Sequence, residues 1–107
     1  MRNSIEIENI EEMRHNEGID DVELRSEIRV LAIGDLVRLT LLNRAASFAG
    51  ETLMVRITSM KGSILRGKLV DSPTFVGLSM LRSGSPISFT TAQIHSVAKR
   101  QSRHQEE

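Results

Sequence analysis

The sequence has no cysteine, no tryptophan and no tyrosine, only two prolines, and no long apolar run. Without cysteine there can be no disulfide, no thiolate metal ligand and no thiol nucleophile. Phe48, Phe75 and Phe89 are its whole aromatic complement. The core must therefore be built from Leu, Ile, Val and Met, and exposed aromatic platforms for stacking bases are scarce. No stretch approaches the roughly 18 apolar residues that cross a bilayer as a helix. The N-terminus alternates isoleucine with charge and lacks the apolar run of a secretory signal. By elimination, the expected location is the cytoplasm, with no membrane contact.

What is present is aliphatic residues in alternation. A chain of 107 residues is enough for one domain with a single modest core. Its clearest pattern runs from Glu51 to Asp71. Leu53, Val55 and Ile57 alternate with Met54, Arg56 and Thr58, and after Met60-Lys61-Gly62 the positions Leu65, Gly67 and Leu69 alternate with Arg66, Lys68 and Val70. Period-2 patterning of this length marks two half-buried strands folded into a hairpin. For both apolar sets to share a face, paired residue numbers must sum to an even total, such as Ser59 opposite Ser63. That predicts a three-residue loop over 60–62 with Gly62 last, where positive φ is needed.

Charge divides along the chain. Residues 1–30 carry nine acidic and four basic residues, whereas residues 31–105 carry ten basic and three acidic. Such asymmetry points either to a polyanionic partner or to a surface whose two signs pair up in space.

The N-terminal segment, residues 1–32, reads as acidic and helical. Asn9 followed by Glu12 fits a capping box for a short helix within residues 1–18, which stops at Gly18. Asp20 or Asp21 then caps a second helix with Leu24, Ile28 and Leu31 at i, i+4 and i+7. From Gly34 the period becomes strand-like, with Val37, Leu39 and Leu41 on one face and Arg38 and Thr40 on the other. Asn43 to Gly50 reads as a loop or a partly helical excursion. Asp71-Ser72-Pro73-Thr74 and Ser83-Gly84-Ser85-Pro86 are turns, and residues 75–82 fit either a short strand or a helical turn. A fourth strand points Ile87 and Phe89 inward, Thr90-Thr91-Ala92-Gln93 suits a 3₁₀ turn, and Ile94 to Ala98 a last short strand. Residues 33–98 thus form the predicted domain, and 99–107 a disordered tail. The expected fold is mainly β (α+β): a small SH3-like barrel of four or five antiparallel strands preceded by one or two short helices. An α+β sheet with both helices on one face is the alternative.

Several of these positions recur in a familiar order. Gly34-Asp35-Leu36-Val37-Arg38-Leu39 is followed by Gly50-Glu51, Val55-Arg56-Ile57, Gly67-Lys68-Leu69 and Asp71-Ser72-Pro73. Leu81, Gly84, Ile87, Phe89 and Ile94 close the set. Over residues 34–94 this order resembles the YegJ-like bacterial domain family, whose function is unknown. The resemblance implies a fold rather than an activity. That family tends to carry a Trp just after Gly-Glu, where this chain has Thr52-Leu53-Met54.

No catalytic pattern emerges, so an enzyme is not expected. His15, His95 and His104 lie far apart in sequence, no serine sits in a Gly-x-Ser-x-Gly elbow, and no His/Asp/Glu cluster has metal-ligand spacing. Gly62 to Leu69 mimics a phosphate loop but places Leu69 where Ser or Thr is required, on a strand rather than at a strand-to-helix turn. Gly67 is better read as a close-approach or bend position inside a barrel strand, and His95 as structural. No cofactor or metal is expected.

Two binding readings follow. The favoured one is a non-enzymatic interaction module that meets an unknown protein, or a second copy of itself, through the barrel and the N-terminal helices, with Met54, Ile64 and Val70 as exposed apolar contacts. The alternative is salt-sensitive, sequence-nonspecific nucleic-acid binding by a basic barrel face. That face comprises Arg38, Arg56, Arg66, Lys68, Lys61, Thr58 and Thr40, with Ser88 and Thr90 between strands and Lys99, Arg100 and Arg103 extending it.

Overall fold

The computed structural model describes residues 5–43, 50–74 and 78–99. In chain order they form β1 (Ile5–Ile7), α1 (Ile10–Asn16), α2 (Val22–Arg29), β2 (Leu36–Asn43), β3 (Gly50–Lys61), β4 (Ile64–Leu69), β5 (Pro86–Thr90), a 3₁₀ turn (Thr91–Gln93) and β6 (Ile94–Lys99). The strands make one antiparallel sheet in the order β1-β2-β3-β4-β5, and β6 returns to pair with β2, so the sheet curls into a nearly closed barrel. The expected α+β barrel is what the chain forms, with one strand more than predicted.

That extra strand is β1. The sequence predicts one short helix and no strand within residues 1–18, yet Ile5, Glu6 and Ile7 pair with Asn43, Leu42 and Leu41. The physical reason lies in β2, whose first half pairs with β6 through Leu36–Leu39. This leaves the edge at residues 41–43 open, and an Ile-Glu-Ile alternation satisfies it. The acidic segment therefore contributes to the sheet itself.

The inner face follows the alternation. Val37, Leu39 and Leu41 from β2, Val55 and Ile57 from β3, and Leu65 and Leu69 from β4 are buried, joined by Leu53, Leu78, Phe89 and Ile94. Each such side chain contributes about 1.5–3 kcal/mol by leaving water, so these strands dominate the stability of the barrel. Gly67 sits inside this wall opposite Ile57. A Cβ there would lie 2.5 Å from both the Arg56 carbonyl oxygen and Val55 Cγ1, so of the two expected roles, close approach or bend, the close approach is the one observed.

The hairpin turn differs from the expectation. Val55↔Leu69, Arg56↔Lys68 and Ile57↔Gly67 keep the even sum, but beyond Ile57 the register shifts to Ser59↔Arg66, Met60↔Leu65 and Lys61↔Ile64. Thr58 is an extra residue, a β-bulge, and it changes the parity between the core and the tip. The loop is consequently the two residues Gly62-Ser63, with φ of 63° at Gly62 and no positive φ at Ser63, as in a type II′ turn. The parity argument holds from Val55 to Ile57 and fails past the bulge, where the buried Leu65 stands opposite the exposed Met60.

The helices lie over β6 and the 3₁₀ turn. Asn9 caps α1 by accepting the Glu12 N–H at 2.9 Å, and Asp21 caps α2 by accepting the Leu24 N–H at 3.0 Å. Leu24 and Ile28 are half-buried against the core and Leu31 is buried, as their spacing predicts. The elbow from α2 into β2 is pinned through Asp35. This buried residue accepts the Ala32 N–H on Oδ2 at 2.9 Å. Its carbonyl oxygen accepts the Ile57 N–H, while Gly34 N–H donates to the Ile57 carbonyl oxygen. No helix among the described residues is long and apolar enough to cross a membrane.

Candidate functional site

Two surfaces stand out, and the sequence anticipated one of them. On the outer face of the barrel, the ladder sets Leu36, Arg56, Lys68 and Pro86 in one cross-strand row and Ser59, Arg66 and Ser88 in the next. Arg56, Arg66 and Lys68 are all exposed, and Lys61 projects from the hairpin tip opposite Ile64. The ladder places these four on the outer side of β3 and β4. Among the described residues none of them forms an ion pair. Arg56 Nη1 donates to the Gly34 carbonyl oxygen at 3.3 Å, and the bulged Thr58 donates its hydroxyl to the Arg66 carbonyl oxygen at 3.3 Å.

Arg38 and Thr40 stand apart from that group. Arg38 pairs across to Met54 on one side and Ser96 on the other, and its Nη1 donates to Ser96 Oγ at 3.2 Å. Thr40 is hydrogen-bonded to Thr52 through their hydroxyls at 2.8 Å. Met54 and Val70, expected to be exposed, are half-buried, whereas Ile64 is exposed. Phe75 and Val76, the loop 44–49, His104 and the tail cations Arg100 and Arg103 lie outside the described residues.

The second surface is a groove that the sequence reading missed. It lies between α1, α2 and the 3₁₀ turn, with a volume of about 390 Å³. Ile10, Leu24, Ile28 and Ile94 give it an apolar floor, and Arg14, Asp21 and Arg25 stand among its polar lining. Ile19 lines it while remaining 50% exposed, and the nearby Val22 is 57% exposed. A signal existed: both are apolar, yet neither falls on the Leu24–Ile28–Leu31 stripe that packs α2. The groove becomes visible only once α1 and α2 are set side by side.

Arg14 holds that arrangement together. It pairs with the Asp21 carboxylate at the start of α2, and its Nη2 donates to the His95 carbonyl oxygen of β6 at 3.3 Å. Arg25 pairs with Asp20. Both ion pairs thus stay inside the acidic segment rather than reaching the cations of β3 and β4. His95 is half-buried, with Nδ1 3.1 Å from Ser96 Oγ. Burial first, then Arg14 and Arg38, hold its imidazole below the ordinary histidine range, against a smaller upward pull from Glu8. Among the described residues no group of three or more carboxylates and imidazoles is placed to hold a metal ion.

Strand addition at the free edge of β5 is restricted. Leu69 N–H donates to Ser85 and Thr91 N–H to Ser63, so by antiparallel alternation Pro86, Ser88 and Thr90 turn their amide positions outward. Pro86 has no N–H, and that of Thr90 is taken by Gln93 Oε1 at 2.9 Å. Only Ser88 is left, an edge guarded in the usual way. Backbone pairing of another strand along β5 is therefore disfavoured.

These features define a small α+β barrel with a helical cover, a charged outer wall and an apolar-floored groove. No family model, no curated protein and no solved structure matches the chain.

Proposed function

We propose that this protein is a non-enzymatic interaction module that receives a segment of a partner protein in the groove between its two helices and the barrel. The observation that carries this reading is the groove itself: about 390 Å³, floored by Ile10, Leu24, Ile28 and Ile94, with the exposed Ile19 at its margin. Its volume lies at the lower end of ligand-sized clefts, which combine apolar lining with a few placed polar groups. Solvent-exposed Ile19 and Val22 contribute nothing to the core, and their burial by a partner would be favourable at about 25 cal/mol per Å² removed from water. The occupant is a helix or loop presenting a short row of aliphatic or aromatic side chains. Paired charges on Arg14, Asp21, Arg25 and Asp20 give the rim direction without a net field.

In vivo photo-crosslinking from position 22 tests this. A discrete adduct with one protein, absent when Ile19→Glu is added and absent from a probe at the distant Lys68, is the expected result. Adducts that ignore Ile19→Glu, or equal labelling from both positions, would remove the groove as the docking site.

A further inference from the structure

The outer wall of β3 and β4 is built from residues separate from the groove. We infer that it is a binding surface for the phosphate backbone of a nucleic acid, read without base specificity. Three cations are set by the ladder: Arg56 directly opposite Lys68, with Arg66 two residues further along β4. Neighbouring strands stand about 4.8 Å apart, and residues i and i+2 along a strand about 6.6 Å apart. This places three positive groups on a rigid lattice within reach of successive phosphates.

Hydroxyls flank this lattice. Ser59 and Ser88 lie on either side of Arg66, and such side chains add hydrogen bonds to phosphate and sugar oxygens. None of the three cations is neutralised by a carboxylate among the described residues. The acidic segment, which could have masked them, spends its ion pairs on Arg14 and Arg25.

The composition of the wall favours nucleic acid over an acidic protein. Protein interfaces are anchored by buried aromatic and large apolar residues, whereas the rows around Arg66 and Lys68 contain Ser59, Ser88 and Pro86, and their one large apolar member, Leu36, is already half-buried. The chain has no Tyr or Trp, and Phe89 on β5 is 2% exposed, so the described wall offers no aromatic platform for stacking bases and the contact is directed to the backbone. Because the wall and the groove share none of these residues, either proposal can fail alone.

The test is fluorescence anisotropy of the full chain with a labelled mixed-sequence single strand of DNA, titrated with salt. Three phosphate contacts predict affinity falling roughly 20-fold between 50 and 200 mM salt, from about 0.7 in logarithmic slope per contact. Arg66→Ser should lower the slope by about 0.7, and the triple change Arg56→Ser, Arg66→Ser, Lys68→Ser should remove binding. Arg29→Ser, an exposed change on α2, should leave it intact. Equal binding of the triple variant, or no binding by the native chain at 20 mM salt, would overturn the inference. So would displacement of the strand by polyglutamate at equal charge concentration, since that would mark the wall as a site for acidic protein.

Discussion

The barrel wall and the helical layer over it are built from the same aliphatic residues, but they use them differently. In β2 every second residue is buried, and Val37, Leu39 and Leu41 have no exposure at all. In α2 no residue is fully buried, although Leu24 and Ile28 reach the core. The charges differ in the opposite sense. Among the described residues the helical layer pairs Arg14 with Asp21 and Arg25 with Asp20, whereas Arg56, Arg66 and Lys68 on the wall have no such partner. Stability is therefore concentrated where side chains are dry, and the two surfaces proposed for recognition lie where burial or pairing is incomplete.

Placing a charge on the dry side should have the largest effect. Val55→Asp puts an unpaired carboxylate at a position with 0% exposure. It should abolish the cooperative melt seen by circular dichroism, because burial of a lone charge exceeds what a small domain can offset. Next comes Gly67→Ala, whose added methyl meets Arg56 and Val55. A loss of about 1–3 kcal/mol in urea unfolding is expected from overpacking, and no loss would mean that β3 and β4 are not in the contact described.

In the helical layer the same kind of disruption should be milder. Asp21→Ala removes both the cap on α2 and the partner of Arg14, which should cost about 1 kcal/mol. The strand signal in circular dichroism should persist. Its collapse would erase the distinction between layer and wall.

His95 sits at their junction and gives a pH-dependent test. Its pKa is lowered in the folded chain, chiefly by burial, so below the ordinary value of about 6.5 the unfolded state binds more protons than the native state. Stability then falls as pH drops through that range. His95→Gln should lose less melting temperature than the native chain between pH 7.5 and 5, and identical losses would show that the imidazole is not held in its neutral form. The smallest effect belongs to Arg56→Ser on the open wall, expected within about 0.5 kcal/mol of the native stability. If it proved more damaging than Val55→Asp, the register of β3 would be off by one residue.

Much of the fold was legible because alternation is a local property. A residue two positions along a strand returns to the same face whatever the rest of the chain does, so Leu53, Val55 and Ile57 and the outward Arg56, Arg66 and Lys68 could be assigned before any contact was known. The cap Asn9 was readable for the same reason, and that of α2 was narrowed to Asp20 or Asp21, since caps act within three residues; the structure uses Asp21.

What tertiary structure alone decided is long-range. β1 forms because β6 covers only half of β2, a shortfall that Ile5-Glu6-Ile7 cannot register in its own sequence. The bulge at Thr58 arises from pairing between two strands, and no composition rule places it at Thr58 rather than at a neighbour. The groove needed α1 and α2 brought together over Ile94, by an Arg14 that bridges a helix start and a strand carbonyl 81 residues away. Patterns that repeat along the chain determine faces, because geometry repeats with them. Edges, bulges and clefts depend on which distant segments meet, and that is settled by the packing of the whole.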